Sequence, residues 1–198
     1  MKRMVFGMAL WLAAMGAAQA ADAPASAMQP ANTQAQWWAQ LQALCGKAFA
    51  GKEVWGADGS AFAGQDMRIH VRECTPQRIR IPLVVGDDRS RTWVLTRTEA
   101  GITLRHDHRH ADGRQDTITQ YGGTTVNRGS AAVQVFPGDQ LTAEVIAGSG
   151  ISSVWQITLE PGQRLIYAGN RVGTPRGFQI DFDLSRAVEA PPAPWGWE

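Results

Sequence analysis

The stretch Thr92–Gly123, TWVLTRTEAGITLRHDHRHADGRQDTITQYGG, decides the fold. It reads as two or three antiparallel strands joined by tight turns. Side chains alternate faces along a strand, so His106, His108 and His110 project the same way. The same face runs back through Leu104 and Ile102, which are apolar. The other face reads Thr103, Arg105, Asp107 and Arg109. One face therefore begins as core and ends as a row of imidazoles, and that row is the first candidate site.

The register of the hairpin after His110 has two readings. A three-residue Ala111-Asp112-Gly113 loop sets His108 opposite Asp116 and His106 opposite Ile118. A two-residue Asp112-Gly113 loop sets His108 opposite Thr117 and makes Asp116 a cross-strand partner of Arg109. Alternate residues on one strand face stand about 6.5–7 Å apart, so at most two neighbouring imidazoles share one ion. A zinc or copper site would use His106, His108 and Asp116, with further ligands from other strands. The alternative is a solvated hairpin end whose histidines serve solubility.

Outward from this stretch the same alternation recurs. Met67, Ile69 and Val71 alternate with Arg68, His70 and Arg72; Ile79, Ile81 and Leu83 alternate with arginines and Pro82, a residue that suggests an edge or a bulge. Arg114 to Tyr121, Ala131 to Phe136, Ser152 to Glu160, Arg164 to Asn170 and Phe178 to Leu184 follow as strands. Asp139 caps a short helix over Gln140 to Ala147. Near the start, Thr33 and Gln36 form a capping box, and Trp37, Trp38, Leu41 and Leu44 recur at helical spacing until Gly46. About ten short strands punctuated by turns predict an all-β antiparallel barrel, with a sandwich as the alternative, one N-terminal amphipathic helix and a short late helix. Barrel closure removes edge strands that would otherwise pair with other chains.

Residues 1–20 read as a signal peptide: Lys2 and Arg3, an apolar run from Met4 to Met15, and Ala18-Gln19-Ala20 as the cleavage site. The run is short for a spanning helix, and no later stretch is long and apolar enough to cross a membrane. Residues 21–32 read as a disordered leader, 33–188 as the barrel domain and 189–198 as a proline-rich tail. Export to the periplasm or full secretion follows. Cleavage removes two positive charges and no acid, so the formal +1 of the 198-residue chain becomes −1. A near-neutral domain gives no bulk attraction to nucleic acid. Cys45 and Cys74, the only two cysteines, pair most simply as a disulfide in an oxidising compartment.

The layout, a helix followed by a roughly ten-strand meander, resembles the calycin group of lipocalin and fatty-acid-binding barrels, without the Gly-x-Trp opening strand. A second resemblance spans the mature domain. Leu44-Cys45-Gly46-Lys47-Ala48, Trp93 to Thr98, His106-Asp107-His108-Arg109-His110, Tyr121-Gly122-Gly123 and Pro191-Pro192-Ala193-Pro194-Trp195-Gly196 are similar to a group of uncharacterised exported bacterial proteins. It implies the domain boundaries and no activity.

No Gly-x-Ser-x-Gly elbow and no phosphate loop is present. The leading expectation is a binding protein without catalysis, its ligand a small molecule or lipid. Trp93 and Trp155 line the interior, and His106, His108, His110 and Tyr121 stand at one mouth. The alternatives are a zinc- or copper-binding protein or metal-dependent hydrolase, and an envelope module meeting a protein through the tryptophan helix and the tail.

Overall fold

The computed structural model describes Met1 and residues 32–197. Apart from Met1 and Asn32, the expected signal peptide and leader lie outside the described residues. In chain order the elements are α1 (Thr33–Gln42), β1 (Ala48–Gly56), β2 (Met67–His70), β3 (Glu73–Cys74), β4 (Arg78–Val85), β5 (Asp88–Thr98), β6 (Gly101–His108), β7 (Tyr121–Thr124), β8 (Val133–Pro137), α2 (Gln140–Val145), β9 (Ser153–Glu160), β10 (Arg164–Arg171) and β11 (Gly177–Asp183). A single 3-10 turn, Gly150–Ser152, precedes β9.

Ten strands form one antiparallel sheet in the order β7-β6-β5-β4-β2-β1-β11-β10-β9-β8, which curls into a nearly closed barrel; β3 pairs with β4 off this path. Alternation explains the curl. Along β9 and β10 every second residue is buried (Ser153, Trp155, Ile157, Leu159; Leu165, Tyr167, Gly169), and the residues between them are partly exposed or exposed. The sheet thus has one apolar face, and wrapping that face inward hides it from water. Among the described residues no helix is long and apolar enough to cross a membrane.

Pro82 lies in a central strand, not an edge. The chain opposite it breaks between β2 and β3, and the register slips by one residue between Ile69–Leu83 and Glu73–Arg80. The proline's missing N–H thus falls at a bulge in the neighbouring ladder.

α1 closes one end of the barrel. Trp37, Trp38 and Leu41 are fully buried, and Trp37 meets Phe136 edge-on at 6.5 Å. The helix is capped one residue earlier than the sequence pattern predicts: Asn32 Oδ1 accepts from the Ala35 N–H at 3.0 Å, while the Thr33 hydroxyl donates to the Arg128 carbonyl. Asn is as good an N-cap as Thr, and the tertiary bond claims the threonine. The Cys45–Cys74 disulfide ties the end of this helical segment to β3.

The sequence-predicted strand Arg114–Tyr121 does not form. After His108 only Arg109 and Gln115 bridge, and β7 begins at Tyr121, paired with His106. Between them Asp116 Oδ1 accepts from the Ile118 N–H, Thr119 Oγ1 accepts from the His108 N–H at 2.8 Å, and Gln120 takes φ 58°. These side-chain bonds interrupt the ladder, of which the Asp116 and Gln120 N–H groups keep single bonds to the His108 and His106 carbonyls.

β7 and β8 are the two edges that meet without a ladder. A Cβ on Gly123 would collide with the Pro137 carbonyl oxygen, so only glycine permits the approach. α2 spans the seam. Asp139 caps it as the sequence predicts, accepting from the Thr142 N–H. The Thr142 hydroxyl then donates to the Gly122 carbonyl at 2.6 Å and accepts from the Gly122 N–H at 2.7 Å.

Candidate functional site

The end of the barrel opposite α1 holds a cavity of about 780 Å³. Its floor is aromatic. β9 brings Trp155, β7 brings Tyr121 and β11 brings Phe178; the Tyr121 and Trp155 rings lie 5.6 Å apart. Gly169 on β10 leaves room for the Phe178 ring, which a Cβ there would strike. The rim is polar: His108, Asp116, Asn170, Arg171 and Arg176. The β1–β2 loop, Ala57 to Phe62, forms one wall. Ser60 Oγ is hydrogen-bonded to Glu53 at its base, and Phe62 packs on Phe178 at 4.9 Å.

The histidine row meets this cavity in three ways. His106 is buried one layer beneath the floor, 3% exposed. Its Nδ1 lies 3.1 Å from the Tyr121 carbonyl and its Nε2 lies 2.6 Å from the Tyr167 hydroxyl. A carbonyl only accepts, so Nδ1 carries the proton and Nε2 accepts from the tyrosine. Burial holds this imidazole neutral, with its pKa lowered to about 3. Its ring stacks on Tyr121 at 4.5 Å with planes 15° apart.

His108 reaches the cavity itself, with Nε2 3.0 Å from the Tyr121 hydroxyl. Burial, then the Arg91 charge, lowers its pKa to about 4. Burial pushes the Tyr121 hydroxyl up to about 12 and that of Tyr167 well above its usual value. At neutral pH the whole cluster is uncharged. His110 is exposed and lies outside the cavity lining. β6 ends before it, and its N–H is bonded to the Arg114 carbonyl in the turn.

Of the sequence-predicted ligand-binding residues, His108, Tyr121 and Trp155 line the cavity. His106 and Trp93 lie below; Trp93 packs on Tyr167 at 4.2 Å. The sequence-predicted metal trio does not fit. Both nitrogens of His106 are engaged, and one oxygen of Asp116 is taken by Ile118 and Thr117. Among the described residues no group of three or more His, Cys, Asp or Glu is placed to hold an ion such as zinc or copper.

Sequence reasoning passed over Tyr167, Arg171 and Arg176. A signal for the tyrosine was present: the chain has two tyrosines, and both bond to histidines of the row. Comparison with family models, curated proteins and solved structures finds no match to this chain.

Proposed function

We propose that this is an exported, soluble, calycin-like binding protein that takes a small amphipathic ligand at the open mouth of its barrel. One observation carries the reading: the interior is filled by the chain's own side chains up to the Trp93–His106–Tyr167 layer, and above it the barrel keeps a cavity of about 780 Å³ with an aromatic floor and a polar rim. Ligand sites in proteins combine this size with an apolar lining and a few placed polar groups. The same burial pattern supports the soluble reading, because the apolar face of the sheet points inward. Export rests on the signal-peptide pattern of residues 1–20, and the Cys45–Cys74 bridge is compatible with an oxidising compartment.

The test is titration of the purified mature protein with N-phenyl-1-naphthylamine, a neutral lipophilic fluorophore. Saturable binding at one site is expected, weakened at least about fivefold by Phe178→Ala in a variant that still melts cooperatively. No saturable binding of this or other lipophiles, or binding indifferent to the variant, overturns the reading.

A further inference from the structure

The inward face of the β10–β11 hairpin runs through Leu165, Tyr167 and Gly169 on one strand, and Phe182, Ile180 and Phe178 on the other. Its last pair is Arg171 and Arg176. Asn170 pairs with Gly177, and one step further the Arg171 N–H donates to the Arg176 carbonyl at 3.0 Å. The two arginines therefore stand directly opposite each other. By alternation both belong to the face that carries Phe178, and both line the cavity. The turn that joins them is fixed: Gly173 holds φ 79°, and the Thr174 N–H and hydroxyl both donate to the Arg171 carbonyl.

Like charges placed opposite across a hairpin repel. Among the described residues no carboxylate pairs with either guanidinium, and these are the two arginines that line the cavity. The acids of the cavity lining, Asp58 and Asp116, come from other loops, and one oxygen of Asp116 is already bonded to a backbone N–H. Two opposed, unpaired guanidiniums above aromatic rings form a fork for a planar or tetrahedral oxyanion.

We propose that the ligand of this cavity bears an oxyanion on an aromatic or apolar body. Arg171 and Arg176 receive the oxyanion, and Tyr121, Trp155 and Phe178 receive the body. This rests on the cavity being a binding site at all, and the experiment separates the two claims. 8-Anilinonaphthalene-1-sulfonate and N-phenyl-1-naphthylamine share their rings and differ in the sulfonate. At pH 7 the sulfonate is expected to bind at least about tenfold tighter. Arg171→Gln/Arg176→Gln should abolish that preference by weakening the sulfonate at least about tenfold relative to the neutral dye; both positions lie outside the core, and circular dichroism checks the fold. Competition by 1-naphthoate against 1-naphthyl phosphate tells a carboxylate ligand from a phosphate one.

Equal affinity for the two dyes in the wild type, or a preference that survives the double substitution, overturns the inference and leaves the binding site standing. Displacement of the sulfonate by inorganic phosphate as effectively as by 1-naphthyl phosphate overturns the need for an apolar body. Failure of both dyes to bind removes the site and the inference together.

Discussion

His106 shows how a single residue type carries opposite meanings by depth. His106 and His108, at alternate positions, share the inward face, and that much was legible in His106-Asp107-His108. Depth along the strand was not, because it depends on where the partner strands end. Tyr167, sixty-one residues away, and the Tyr121 carbonyl turn His106 from a candidate ligand into a satisfied core group. The acid side of the stability profile follows. Folding lowers the pKa of His106 to about 3 and of His108 to about 4, against 6.5 for an unperturbed imidazole. Between those limits the unfolded chain binds more protons than the folded one. The contribution is fully present above about pH 6.5 and is lost as the pH falls towards 4. The slope approaches about 1.4 kcal/mol per pH unit for each histidine. Urea midpoints measured from pH 7 to 4.5 should fall steadily, and His108→Gln should remove about half of the slope. A flat profile over that window means the imidazoles stay accessible to protons in the folded state.

Among elements, the short ones were hardest to read. β5, β9, β10 and β11 follow from simple alternation, because each turns one face to the core over much of its length. The segment 114–121 alternates too, yet Asp116 and Thr119 spend their side chains on backbone groups and the strand starts only at Tyr121. Nothing in Tyr121-Gly122-Gly123 announces that its outer edge meets α2 instead of another strand. The glycine pair is intelligible once Leu104 and Pro137 are seen to press on it. Thr142 tests whether the seam depends on that helix. Thr142→Val keeps the shape and removes both bonds to Gly122, orphaning a buried N–H. The expected loss is about 1–3 kcal/mol in denaturant unfolding, with faster hydrogen exchange at the Gly122 amide. An unchanged midpoint and an unchanged Gly122 exchange rate would show that the barrel closes without α2.

At the scale of the molecule, strand count, antiparallel pairing, the capping helix and the disulfide were all readable, because each is a local pattern repeated or a pairing with one solution. The tail was not, because an isolated proline-rich segment gives no sign of what it lies on. It returns along the outside of the barrel: the Trp195 N–H donates to the Arg89 carbonyl, and the Arg89 guanidinium donates to the Ala193 carbonyl at 2.9 Å. Trp197 ends between two cations, 3.8 Å from Arg80 and 4.5 Å from Arg109, and its Nε1–H donates to Asp107 at 3.0 Å. Asp107 lies on the face of β6 opposite the histidines and is 2% exposed, so each of its donors offsets the cost of a buried charge. Gln120 and Arg109 supply the others. Trp197→Ala removes one charged hydrogen bond and two cation–π contacts, and about 2–4 kcal/mol of stability should go with them. Because the tail covers the outer surface and the cavity opens at the mouth, the affinity for N-phenyl-1-naphthylamine should not change. A lower thermal midpoint with intact dye binding places the tail's role in holding β6 from behind. A loss of dye binding at constant stability would instead mean that the outer face of β6 communicates with the His108 side of the same strand.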